Sequence, residues 1–167
     1  MAAYRRPLPK RRPARDPQQY LVYRMESEAL GHCGRMKLSD SAIESLCRAI
    51  ARNYGVPDLR INWKPMRDAA VWHDNDVLDL STTKGTSRDL ITITHEMGHQ
   101  IHYHLSDGND KNHQNHGPEF MACHLSILDS CRIIPIVGMK AICDSYGIAY
   151  FDPGVDGKSL VDILKRK

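Results

Sequence analysis

The sequence predicts an α+β domain, a small three-stranded sheet followed by helices, preceded by a separate arm over residues 1–19. Three observations carry that expectation. Between residues 59 and 80, short segments alternate apolar with polar side chains, the period of a half-buried strand. From Leu90 onward, apolar residues recur three and four positions apart, the period of a helix. Ahead of both, Pro7, Pro9, Pro13 and Pro17 fix φ and remove backbone donors, which favours an extended arm.

At 167 residues, with 41% hydrophobic and 26% charged positions, the chain suits one packed domain, residues 20–167. No apolar run approaches the length of a membrane span. The basic N-terminus has no apolar segment behind it, so it reads as neither secretory signal nor anchor. The five cysteines (Cys33, Cys47, Cys123, Cys131, Cys143) are odd in number and form no C-x-x-C pair. That usage fits a reduced cytoplasmic or nuclear setting. Arg5, Arg6, Lys10, Arg11, Arg12 and Arg15 precede the first acid, Asp16. Removing these six charges from the formal +3 leaves the body near −3. A basic arm on a mildly acidic body could rest on nucleic-acid phosphate, or could simply be solvated.

The elements follow in order. Tyr20 to Met36 has helical character interrupted by Gly31 and Gly34. Ser41 to Glu44 reads as a capping box, with Ser41 as N-cap, opening a helix that ends by Gly55 and Pro57. Leu59–Trp63, Ala69–His73 and Val77–Leu80 are the three strands, the last two joined by the turn Asp74-Asn75-Asp76. The sheet is expected to be antiparallel or mixed, with Val77–Leu80 as the edge nearest the following helix. Asp76 and Asp79 would then lend that edge negative charge. Thr86 or Ser87 is the expected N-cap of a helix running to about His104. A polar loop to His116 follows, and Gly117-Pro118 starts another helix that turns Phe120, His124, Leu125 and Leu128 inward. Ile136–Tyr146 is a further helix closed by Gly147, and Ser159–Leu164 a last turn.

The chemistry concentrates in DLITITHEMGHQIHYHLSDGNDKNHQNHGPEF, residues 89–120. His95-Glu96-Met97-Gly98-His99 is an H-E-x-x-H motif, and Leu90, Ile91, Ile93, Met97 and Ile101 supply the helix it needs. On that helix His95 and His99 share a face, so both imidazoles can reach one Zn2+ ion at about 2.0–2.1 Å. Glu96, on the flank, is a poor ligand but well placed to take a proton from water. His116 is the candidate third ligand, with His113 as competitor. Gly98 within a helix costs about 1 kcal/mol against alanine, which suggests a close approach there. His73 and His124 are structural or supporting groups, His102 lies near the motif face, and His32 is a surface residue. A second electrophile is not identified; Tyr103 and His104 are candidates.

HEMGH, a Gly/Asn/Asp-rich loop and HGPEF resemble the SprT-like zinc metallopeptidases, including the Spartan proteases that degrade proteins crosslinked to DNA. The resemblance covers about thirty residues. It implies a zincin-like fold, zinc ligands His95, His99 and His116, Glu96 as catalytic base, and a protein substrate associated with DNA. Paired cysteines for the C-terminal zinc ribbon of many bacterial members are absent from the sequence. The expected activity is that of a zinc metalloendopeptidase. The competing reading is a zinc-stabilised nucleic-acid-binding protein without protease activity, its site closed by Glu96 or His113 as a fourth ligand.

Overall fold

The computed structural model describes residues 16–34, 36–65, 70–82, 88–106 and 115–152, together with Leu160 and Leu164. Helix α1 spans Gln19–Glu28, α2 Gly31–Gly34 and α3 Asp40–Tyr54. Strands β1 (Arg60–Lys64), β2 (Ala70–His73) and β3 (Val77–Ser81) follow. Helices α4 (Leu90–Leu105), α5 (Pro118–Ser130) and α6 (Ile136–Tyr146) complete this mixed α and β arrangement. The arm over residues 1–15, Thr86, Ser87 and His113 lie outside the described residues. No described helix is long and apolar enough to cross a membrane.

Two N-caps differ from expectation by a few residues. Ser39, not Ser41, caps α3: its backbone is extended and its hydroxyl accepts the Ala42 N–H. Ser41 already lies inside the first turn, so it cannot serve as the half-in residue a cap must be. At α4 the cap is Asp89, whose carboxylate accepts the Thr92 N–H at 2.9 Å. A carboxylate there also suits the positive end of the helix dipole. Pro118 occupies the first turn of α5 and Gly147, at φ 68°, closes α6, both as the sequence predicts.

The sheet is mixed, in the order β1-β3-β2. β1 runs parallel to β3 with Ile61 opposite Leu78, and β2 runs antiparallel with Trp72 opposite Leu78. Val77–Ser81 is therefore the central strand, and the expectation that it forms an edge fails. All five of its residues are buried, whereas β1 and β2 alternate between exposed and half-buried. A strand covered on both sides and paired on both edges carries apolar groups without needing strict alternation.

That burial also removes Asp79 from any acidic edge. Its carboxylate accepts Lys64 Nζ at 2.6 Å, Asn62 Nδ2 at 2.9 Å and a His73 ring nitrogen at 2.9 Å. Asp76, at φ 57°, ties the β2–β3 turn to α4 by accepting Gln100 Nε2 and pairing with His104 Nε2.

Helices α4 and α5 lie against each other and divide the core between them. Ile93, Met97 and Ile101 of α4 join Cys123 and Ile127 of α5, Leu78 and Leu80 of β3, and the apolar face of α3. Leu160 and Leu164 pack on this cluster. Ile91 joins Phe120, Met121, Leu125 and Leu128 in a second cluster with Val22 and Met25 of α1 and Met139 and Cys143 of α6. α4 is buried on both sides, and the polar Thr94, His95, Glu96, Gln100 and His102 are enclosed along with its apolar residues.

Lys64, then His73 and Asn62, hold the Asp79 carboxyl at about 2, below its ordinary value. A depressed carboxylate stabilises the fold above its unfolded pKa, and that stabilisation disappears as pH falls through the folded value. Asp79→Asn should therefore cost up to about 1 kcal/mol at pH 7, its partners being half-exposed. In urea unfolding at pH 7, 4 and 2, the gap between variant and parent should shrink toward pH 2. A gap independent of pH would refute this account.

Candidate metal centre

α4 carries His95 and His99 one turn apart, and the turn ahead of α5 delivers His116 from the other side. The Nε2 atoms of His99 and His116 lie 3.2 Å and 3.1 Å from His95 Nε2. His95 and His116 are buried, and ligand atoms of all three residues lie within 4.8 Å of one another. Tetrahedral bonds of about 2.0–2.1 Å would set neighbouring nitrogens about 3.3–3.4 Å apart. The spacing is thus close to that of a shared cation, and the three histidines can hold a metal ion.

The supporting shell fixes which nitrogens face inward. Glu26 Oε1 lies 2.6 Å from His95 Nδ1, and Asp16 Oδ2 lies 2.5 Å from His116 Nδ1. A carboxylate only accepts, so each Nδ1 carries its hydrogen and each neutral ring presents a lone pair at Nε2. Two lone pairs then face each other across 3.1 Å. A proton on His95 Nε2 could satisfy one neighbour at a time, whereas a cation at the centre satisfies all three. Asp16 also accepts the His116 backbone N–H at 3.0 Å, and Gln18 Nε2 donates to the His116 carbonyl at 2.8 Å. Gln18 further exchanges two hydrogen bonds with Ala149, pinning the turn from the far end of the chain. Asp16 and Gln18, placed by composition in the arm, thus bond to the domain.

Proton affinities follow from burial and these pairings. Burial opposes charge on His95, but Glu26 outweighs it and raises the His95 pKa. Burial likewise opposes the Glu26 carboxylate, yet His95, ahead of His124 and His116, holds its pKa below the ordinary range. Burial, reinforced by His95, lowers His116 and lowers His99 further. Both therefore favour the neutral form that coordination requires.

Glu96 lies beside this cluster with only 9% of its surface exposed. Its Oε2 accepts the Trp72 backbone N–H at 2.8 Å, so β2, an edge strand, holds the carboxylate against α4. Burial raises the Glu96 pKa, and His95 and the Trp72 N–H offset it only in part. A carboxylate tuned upward in this way is a better proton acceptor than an ordinary one.

Two aromatic rings frame the histidines. Phe120 of α5 lies 4.4 Å from the His99 ring centre and 5.0 Å from those of His95 and His116. It reaches them because residue 98 has no side chain: a Cβ there would lie 3.0 Å from Phe120 Cε2. The close approach suggested by Gly98 is that of the Phe120 ring. Tyr23 of α1 covers the other side, stacked 5.4 Å from His95 and edge-on 5.2 Å from His116.

No family model matches this chain, and no curated protein or solved structure does. The site's meaning therefore rests on its own geometry.

The remaining candidates divide clearly. His124 is buried, its Nδ1 3.6 Å from Glu26, so it neighbours the support of His95. His73 pairs with Asp79, His104 pairs with Asp76, and Tyr103 packs on Trp72. His102 is buried on α4, and His32 is exposed. Glu26, Asp16 and Tyr23 were not anticipated. Glu26 had one signal: with Val22, Met25 and Ala29 it falls at the spacing of a core-facing helical stripe. An acid in such a position needs a partner. Asp16 and Tyr23 had none.

Removing either supporting carboxylate should weaken metal binding without removing any of the three histidines. Glu26→Gln and Asp16→Asn should each weaken Zn2+ affinity about 10- to 100-fold in a competitive chelator titration. Affinities equal to the parent's would mean that the two pairs do not orient the rings. Gly98→Ala must displace Phe120, and should cost on the order of 1 kcal/mol after the helix-propensity gain is counted. Thermal unfolding in chelator reads that loss apart from metal binding, and an unchanged or higher midpoint would contradict it.

Proposed function

We propose that this chain is a zinc-dependent metalloendopeptidase with a zincin-like, SprT-like core. The observation that carries the reading is the buried convergence of three imidazole Nε2 atoms, with the Glu96 carboxylate held beside them by a strand N–H. All-nitrogen, three-residue sets with an adjacent carboxylate are the chemistry of catalytic rather than structural zinc. When bound, a zinc ion supplies Lewis acidity, lowering the pKa of a water to about 7 and polarising a carbonyl oxygen.

The chain's own groups supply the proton traffic. Glu96 accepts a proton from the attacking water as the new C–O bond forms and the carbonyl π pair moves onto oxygen. When the C–N bond breaks, Glu96 returns that proton to the leaving amine. The Trp72 N–H keeps the carboxylate aimed during both transfers. Glu26 and Asp16 hold the His95 and His116 rings in place throughout. The sheet edge beside Glu96 is that of β2, not β3, so an extended substrate strand would lie along β2.

DNA-associated proteins are the proposed substrates. Support for them comes from the basic residues 5–15 and the resemblance in HEMGH and HGPEF. A closed structural site with Glu96 as fourth ligand is less well supported, because its carboxylate is already engaged by β2.

The test is cleavage of a basic, DNA-bound protein by the zinc-loaded chain, with and without single-stranded DNA. Chelation should abolish cleavage, and so should Glu96→Gln while leaving one zinc per chain. Activity surviving in Glu96→Gln would sink the mechanism. Cleavage indifferent to DNA would discard only the DNA-linked substrate. A chain with stoichiometric zinc that cleaves nothing would favour the nucleic-acid-binding alternative.

A further inference from the structure

Glu96 accounts for the proton, but nothing so far stabilises the charge that develops on the carbonyl oxygen apart from the metal. A hydrogen-bond donor beside the cluster is the kind of group that does so. The two aromatic donors close to the motif in sequence are otherwise engaged. Tyr103 lies two helical turns beyond Glu96, about 10 Å along α4, and packs on Trp72 and His104. The His104 Nε2 atom is bonded to Asp76 at 2.7 Å.

Tyr23 is different. Its ring touches two of the three metal-ligating histidines, yet 47% of the residue remains exposed, so it stands where the buried cluster meets solvent. Its Oη accepts a hydrogen bond from Gln19 Nε2 at 3.3 Å, an interaction that leaves the phenolic hydrogen available to donate. A phenol keeps that hydrogen at neutral pH. α1 is anchored immediately below by Val22 and Met25, both fully buried, and by Glu26 on His95. Pre-positioning of this kind is what lets a donor act without reorganising.

We propose that Tyr23 is a catalytic hydrogen-bond donor, its hydroxyl stabilising the carbonyl oxygen as the scissile carbon becomes tetrahedral. It gives up no proton: Glu96 alone carries the water proton to the leaving amine, and the Tyr23 O–H bond stays intact. The inference rests on the peptidase reading for its substrate, but not for its test.

Tyr23→Phe keeps the ring contacts with His95 and His116 and removes only the hydroxyl. Zinc affinity and the unfolding midpoint should match the parent, while kcat falls about 100-fold or more with little change in KM. A second readout needs no peptide. With both proteins loaded with Co2+, methylphosphonate supplies tetrahedral anionic oxygens, and its binding is followed by the visible absorption of the metal. The variant should bind this probe about 10-fold or more weakly. Equal probe affinities in the two proteins, or no probe binding by the cobalt-loaded parent, would overturn the proposal. Full activity in Tyr23→Phe beside an inactive Glu96→Gln would reject the tyrosine and leave the peptidase standing. Weaker probe binding in a chain that cleaves nothing would keep the donor and reject the peptidase.

Discussion

Everything at the centre depends on two carboxylates that reach it from far away in the chain. Glu26 is 69 residues from His95, and Asp16 is 100 residues from His116. Each accepts a hydrogen from the outer nitrogen of a ring and so turns the inner nitrogen's lone pair toward the same point. Without those bonds the imidazoles could rotate or change tautomer, and three neighbouring histidines would not constitute a donor set. The interior they occupy disfavours charge, and that is why burial lowers the pKa of His99 and His116.

Glu96 and the three histidines are positioned by different parts of the fold. His95 and His99 take their places from α4, whose opposite sides are sunk in two apolar clusters and cannot rotate without exposing either. Glu96 shares the helix but takes its orientation from the sheet, through the Trp72 N–H. The three-stranded sheet, small as it is, therefore orients a side chain beside the histidine cluster as well as filling the core. Gly98 links these layers to α5: the missing side chain lets Phe120 lie beneath all three rings.

What was legible in the sequence was what local spacing encodes. The four-residue step from His95 to His99, the Gly117-Pro118 helix start and the Gly147 stop each depend on neighbours a turn away, and each has the expected geometry. Strand positions came within a residue or two for the same reason. Strand order did not, because three short apolar segments of similar length do not reveal which one is paired on both edges. Ser39 and Ser41 were equally capable caps by composition, and only the path of the incoming chain separates them. Asp16 looked like the end of a charged arm because its partner is a ring a hundred positions away.

Gln18 joins the His116 carbonyl to both backbone groups of Ala149, so segments from either side of the H-E-x-x-H helix meet at His116. These contacts span 98 and 131 residues, the kind of closure that forms late because it costs the most chain entropy. During synthesis, the H-E-x-x-H helix emerges well before Ala149. Until Ala149 leaves the ribosome, the turn bearing His116 lacks its full clamp. Any tight binding of metal by His95, His99 and His116 is thereby deferred until residues well beyond them have been made.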